Sequence, residues 1–308
     1  MTLRRLLILM WALVVLHSTA QEPTQTAEPT PRPRPAPFLV LPLGTGGLEL
    51  YFNSLTQGTM GLLRLASPNV TEAQAIFDGR AYPFFRPADE DALYALIVAR
   101  IDMPPRAYPL QVLAALSDGT LQTQQTMIDV QAAGFLRVVF NVPSDRAFLI
   151  NPEVERNEFA RLGALTSRLN PLRQWDAGGF QLPMQSEMVS NFGQYRVLNN
   201  TVQTRHTGWD QRAATGTPVY AMARGVVNFA GMLDIRGNYV MIDHGWGIFS
   251  GYAHLSQMAV APGQTVERGQ LIGLSGNTGR SSGPHLHWEI SVSGEWIDGF
   301  SLINGWLP

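Results

Sequence analysis

Short apolar runs broken by turn-forming residues set the rhythm of this chain. In the first half, runs at 48–52, 60–65, 93–101 and 108–113 are separated by Gly46-Gly47, Ser67-Pro68-Asn69, Asp78-Gly79, Met103-Pro104-Pro105 and Ser117-Asp118-Gly119. Runs of that length with that punctuation predict β-strands, and their spacing predicts a small antiparallel sandwich over residues 38–140. The rhythm changes at Asn151-Pro152. Asn caps helices, Pro suits the first helical position, and Glu153 and Glu155 favour the positive end of the helix dipole. Val154, Phe159, Leu162, Leu165 and Leu169 approximate a helical stripe that ends at Asn170-Pro171. Residues 141–183 thus read as a connecting helix and linker. Over residues 184–308 the β rhythm returns, now rich in Gly, with strands predicted at 218–223, 226–230, 239–243, 249–253, 271–274 and 286–292. So many glycines at turns imply tight corners and close backbone approach, as in a compact β-sandwich. The predicted fold class is mainly β: two sandwiches joined by one helix.

The N-terminus carries an address. Arg4 and Arg5 precede an apolar run over 6–16, too short to cross a bilayer, and Ser18-Thr19-Ala20 fits a small-residue cleavage site. Residues 1–20 therefore read as a signal peptide and place the rest of the chain outside the cytoplasm, in the periplasm, the cell envelope or the medium. Were the segment left uncleaved, it would act as a membrane anchor. Residues 21–37 are rich in Pro, Thr and Glu, with alternating Pro and Arg, and read as an extended spacer.

Composition removes several classes. The net charge of −2 suggests no polyanion partner such as nucleic acid. With no Cys, disulfides, thiolate metal sites and cysteine catalysis are excluded. All 22 basic residues are Arg. The Gly-x-x-Val-x-x-Gly-Gln-x-Ile-Gly rhythm over 263–273 resembles biotinyl and lipoyl carrier modules, which attach their cofactor to a Lys. A chain without Lys cannot be such a carrier.

The chemistry gathers in three short stretches. Pro284-His285-Leu286-His287-Trp288-Glu289 places two histidines at i and i+2, which share one face of a strand. His206-Thr207-Gly208-Trp209-Asp210 offers a His and an Asp at i and i+4, also co-facial if the segment is one strand. Tyr252-Ala253-His254-Leu255 adds a further imidazole. Four of the six histidines fall in these stretches. A catalytic zinc takes three protein ligands and keeps one position for water. His206, Asp210 and one of His285 and His287 meet that count, and residue types alone do not choose between the pair. The remaining member and His254 are then available as bases near neutral pH. That combination suits hydrolysis of an amide by metal-activated water. The His-Glu-x-x-His pattern of helical zinc peptidases is absent. His244 reads as a structural histidine, and Trp209, Trp246 and Trp288 as packing residues.

Taken in order, the motifs from Met188 to Phe300 resemble the lysostaphin-type (LytM-like) zinc metallopeptidases. The matching elements are Ser190-Asn191-Phe192-Gly193 with Arg196, His206-Thr207-Gly208-Trp209-Asp210, Gly216-Thr217-Pro218-Val219-Tyr220-Ala221, and Gly225-Val226-Val227. They continue through the 237–245 segment, Tyr252-Ala253-His254-Leu255-Ser256, Gly276-Asn277-Thr278-Gly279, and Ser282-Gly283-Pro284-His285-Leu286-His287-Trp288-Glu289. The resemblance implies a hybrid-motif β-sandwich and Zn2+ held by His206, Asp210 and His287. It implies His285 as general base, with His254 orienting water or stabilising the oxyanion. The implied substrate is the peptide stem or cross-bridge of bacterial peptidoglycan. Trp209 and Trp288 stand where the family commonly shows an aliphatic residue and a Phe. The front of the chain resembles the non-catalytic, immunoglobulin-like part of some envelope-associated members. Relatives that have lost metal ligands bind cell wall or activate amidases without catalysis. Here no ligand position is missing, so the enzyme is the expected reading and that binding role the alternative.

Overall fold

The computed structural model describes residues 32–308. The signal-peptide reading of 1–20 and the first part of the spacer lie outside those residues. As predicted, the molecule is mainly β.

In the front half, strands Leu39–Leu43, Gly46–Leu50, Thr59–Ala66 and Leu93–Ala99 form an antiparallel four-stranded sheet. It shares an apolar core with a five-stranded sheet in the order Ser54–Thr56, Leu121–Gln131, Arg106–Leu116, Val70–Phe77, Arg80–Pro83. Leu93–Ala99 is buried at every position, as its unbroken apolar run predicts. The reason is that its sheet is covered on both sides. One side faces the sandwich core, and Tyr94 stacks on Trp246 of the C-terminal half with ring centroids 5.7 Å apart. Leu121–Gln131 has no apolar run to announce it. Only Ile128 and Val130 are buried there, because the strand shows its other face to water.

The helix forms over Pro152–Thr166, capped as predicted by Asn151, whose Oδ1 accepts from the Glu153 amide at 2.9 Å. It stops before the predicted Asn170-Pro171. Thr166 Oγ1 bonds back to the Leu162 carbonyl and Ser167 Oγ to that of Ala164, satisfying late carbonyls and closing the last turn. Leu162 is buried and Phe159 and Leu165 pack beside it, against Leu233, Tyr239, Met241, Phe249 and Ala253. Glu158 is buried on the same helix.

In the C-terminal half, strands run in the order Met188–Ser190, Trp209–Arg212, His285–Val292, Ile248–Leu255, Gly237–Gly245, Gly225–Leu233 and Thr265–Val266, all antiparallel. A second sheet joins Pro218–Tyr220, Leu271–Leu274 and Gln257–Met258. A third pairs Arg137–Phe140 in parallel with Tyr195–Leu198, which pairs in turn with Val202–Arg205. The chain leaving the front sandwich is therefore already hydrogen-bonded to the C-terminal half. Among the described residues no helix is long and apolar enough to cross a membrane.

Candidate metal centre

Sheet register builds the centre. His285–Val292 lies between Trp209–Arg212 and Ile248–Leu255, with His287 directly opposite Asp210 on one side and Ala253 on the other. His285 and His287 share one strand, as the sequence predicts. His206 and Asp210 do not. His206 sits in the turn between Val202–Arg205 and Trp209–Arg212, so the expectation of one co-facial strand is wrong. The turn folds His206 back instead, tied by hydrogen bonds from the Gly193 amide to the His206 carbonyl and from the His206 amide to the Gln194 carbonyl.

Three donor atoms meet there. His206 Nε2 is 2.9 Å from Asp210 Oδ1, His287 Nδ1 is 2.8 Å from the same oxygen, and the two ring nitrogens are 2.9 Å apart. Each residue's other polar atom is engaged elsewhere. His206 Nδ1 donates to the Asn191 carbonyl at 2.6 Å, His287 Nε2 to Glu289 Oε2 at 3.2 Å, and Asp210 Oδ2 accepts from Arg196 at 2.5 Å. That leaves Nε2, Oδ1 and Nδ1 facing one another. Two imidazoles and one carboxylate are a donor set that fits a divalent ion such as zinc, with a coordination position to spare. Of the 285/287 pair, His287 joins the cluster, while His285 Nε2 stands 3.6 Å from Asp210 Oδ1.

The two remaining histidines flank the cluster. The ring centroids of His254 and His285 are 4.7 Å apart, and those of His254 and His287 are 6.0 Å apart. His254 Nδ1 meets the Thr278 carbonyl at 2.8 Å, and His285 Nδ1 the Gly283 carbonyl at 2.9 Å. A carbonyl only accepts, so each Nδ1 carries a proton, and the neutral form of either ring has its lone pair on Nε2. His254 adopts a left-handed backbone, φ 59°, at the end of its strand.

Electrostatics favour a cation. Burial pushes His206 down to about 4, against the pull of Asp210. Burial would raise Asp210, but His206 and Arg196 outweigh it and hold the carboxyl well below its usual range. Burial and the neighbouring His285 and His287 keep His254 neutral. In His287 burial is overcome by hydrogen bonds to Asp210 and Glu289, and the pKa rises. A metal taken up there displaces that proton.

Behind the cluster lies a buried network that sequence reasoning missed. Arg236 donates to Glu289 through Nε (2.5 Å) and Nη2 (2.8 Å), and to Glu158 through Nη1 (2.9 Å). Tyr239 and Thr207 also donate to Glu289, at 2.8 and 2.5 Å. Burial notwithstanding, Arg236 and His287 hold Glu289 well below the usual carboxylate range. Glu289 lay inside the His-x-His stretch, two residues past His287 on the same strand face, and that spacing could have flagged it. Nothing in the sequence marks Glu158 or Arg236. His244 is buried apart from the centre, between the Arg224 carbonyl and Ser250 Oγ.

Side chains from residues 140–159 reach the loop over 277–281 beside the centre. Arg146 reaches Asn277 Oδ1 and the Ser281 carbonyl, both at 3.0 Å, and Arg280 reaches Glu155 at 3.1 Å. Beneath them a cavity of about 60 Å³ is lined by Phe140, Phe159, Arg196, His206, His254 and His287, among others.

Residues 204–299 match Peptidase family M23. Peptidoglycan DD-endopeptidase ShyA of Vibrio cholerae is 48% identical over 110 residues, covering 35% of this chain and 26% of ShyA. DD-carboxypeptidase/endopeptidase Mpg of Neisseria meningitidis is 42% identical over 129 residues, covering 41% of this chain and 30% of Mpg. The chain thus spans less than a third of the length of these curated relatives. A crystal structure of a Pseudomonas aeruginosa protein assigned to peptidase M23 is similar with a TM-score of 0.59 at 23% identity, over 83% of this chain and 97% of that one. The fold of both halves therefore recurs there.

Proposed function

We propose that this chain, whose residues 204–299 match Peptidase family M23, is a zinc-dependent endopeptidase acting outside the cytoplasm on the peptide stems or cross-bridges of peptidoglycan. The observation that carries this reading is the convergence of His206 Nε2, Asp210 Oδ1 and His287 Nδ1 beside two imidazoles with free Nε2 atoms. The similarity to enzymes named for peptidoglycan endopeptidase activity supports the choice of substrate.

His206, Asp210 and His287 would hold the ion. Bound zinc supplies Lewis-acid activation of water and of the scissile carbonyl. His285, anchored through Nδ1 on Gly283, presents Nε2 to take the proton of the attacking water and pass it to the leaving amine. His254, neutral and anchored on Thr278, could accept a hydrogen bond through Nε2, which supports the water-orienting one of its two implied roles. The balance is that of hydrolysis: the C–N bond breaks, hydroxyl goes to the carbonyl carbon, and a proton goes to nitrogen.

Incubating the purified protein with cell-wall sacculi tests the reading. New amine ends and shortened muropeptides should appear by mass spectrometry, vanish with a chelator and return with zinc. Zinc-loaded protein that binds sacculi without cutting them would overturn it in favour of a wall-binding role.

A further inference from the structure

We infer that the metal centre is completed from outside the region matching the peptidase family. Glu158, on the Pro152–Thr166 helix, is a positioning residue for His287. The inference rests on the reading of His206, Asp210 and His287 as a metal site.

The contacts form one continuous line. Glu158 Oε1 accepts from Arg236 Nη1 at 2.9 Å. Arg236 grips both oxygens of Glu289, at 2.5 and 2.8 Å. Glu289 Oε2 then accepts from His287 Nε2 at 3.2 Å. A carboxylate held on both oxygens by a planar guanidinium has a fixed orientation. An acceptor fixed at Nε2 keeps the proton on that nitrogen and leaves Nδ1 as the lone pair directed at Asp210 and His206. Without Glu158, one edge of the Arg236 guanidinium would be buried with no acceptor, and the grip on Glu289 would loosen.

Helix docking alone does not account for an acid at this position. The Glu158 and Arg236 side chains are 2% and 5% exposed. A buried ion pair docks a helix no better than an apolar pair of the same volume, and the same helix already buries Leu162 and packs Phe159 and Leu165 beside it. Charge supplies a reason. Around the donor atoms, the carboxylates of Asp210, Glu289 and Glu158 face the guanidiniums of Arg196 and Arg236. Glu158 therefore adds one negative charge to this network, which favours a divalent cation over an empty centre. It also accepts from the Ile235 amide at 2.6 Å and the Arg236 amide at 3.3 Å, holding the turn from which Arg236 projects.

The test uses the full chain and the variant Glu158→Gln, which keeps the shape and removes the charge. Zinc affinity is read by competition with a chromophoric chelator, ligand geometry from the visible spectrum of the cobalt-loaded protein, and stability from melting after chelator treatment. Expected are a zinc affinity weaker by tenfold or more, the size usual for groups that orient metal ligands, and a changed cobalt spectrum. Partial recovery is expected in Glu158→Asp. A lowered melting temperature with wild-type zinc affinity and cobalt spectrum would overturn the inference and leave Glu158 a docking residue. Should Glu158→Gln fail to fold, wild-type affinity in Glu158→Asp, whose carboxylate is withdrawn by one methylene, overturns it equally. The sacculus assay judges the peptidase reading separately. Normal zinc affinity without cleavage sinks that reading alone, and a wild-type protein that binds no zinc sinks both.

Discussion

His285 and His287 share a strand face yet hold opposite assignments, and the difference lies in what each ring's far nitrogen touches. His287 gives its Nε2 to Glu289 and turns Nδ1 to the cluster, whereas His285 spends Nδ1 on Gly283 and keeps Nε2 free. Replacing His285 with Ala should therefore leave bound zinc intact and lower turnover by roughly 10²–10⁴-fold, the usual range for a lost acid–base group. Metal analysis beside the sacculus assay checks this, and loss of zinc would mean the pair has been assigned backwards. The choice was not legible in residue types, because either member satisfies the ligand count. It becomes legible only in register, where His287 stands opposite Asp210. His244 yields a prediction of another kind. Burial holds it neutral down to about 4, while the unfolded chain binds its proton near the ordinary value of 6.5. The unfolded state thus takes up a proton that the native state refuses, so stability is full above about pH 6.5 and falls as pH drops toward 4. The share is roughly 3 kcal/mol. In His244→Gln, melting temperatures should depend less steeply on pH across that window, even if the variant is weaker throughout. An unchanged slope would show that His244 does not titrate in this way.

The elements were readable to the extent that each carries its own signal. The helix announced itself through Asn151, Pro152 and the first-turn acids, and Asn151→Ala should cost about 1 kcal/mol of stability, measured by urea unfolding. Since Asn151 bonds the first turn of its own helix and none of the three metal-ligand candidates, zinc affinity should stay at the wild-type level in that variant. Leu93–Ala99 was equally plain from its apolar run. Leu121–Gln131 was not, because a strand with one face in water and few apolar residues on the other has little pattern to show. Glu158 was hidden for a related reason. A single acid on an amphipathic helix looks like a solvent-facing residue, and the arginine that explains its burial lies 78 residues further on and carries no motif.

In the whole molecule the two halves share one apolar cluster. Trp246, on the turn after Gly237–Gly245, is fully buried, stacked on Phe85 at 5.7 Å and Tyr94 at 5.7 Å from the front half, and meets Trp175 edge-on at 5.0 Å. Trp306 packs on Tyr51, and the Asp298 amide donates to the Gly58 carbonyl at 2.7 Å. Calorimetry should therefore record one unfolding transition for both halves. Trp246→Ala should lower its stability by about 3–5 kcal/mol, the usual loss for a large aromatic removed from a core. Two separate transitions in the unaltered protein would contradict the shared core. That core reaches across a boundary which motifs alone place near residue 184, and no motif shows it. Tyr195–Leu198 also takes its neighbour Arg137–Phe140 from the leading half. Anyone excising the C-terminal half at residue 184 would bare the indole of Trp246 and strand the Tyr195–Leu198 edge without its neighbour. The fragment should be sticky and prone to self-association, and a poor measure of what the intact chain does.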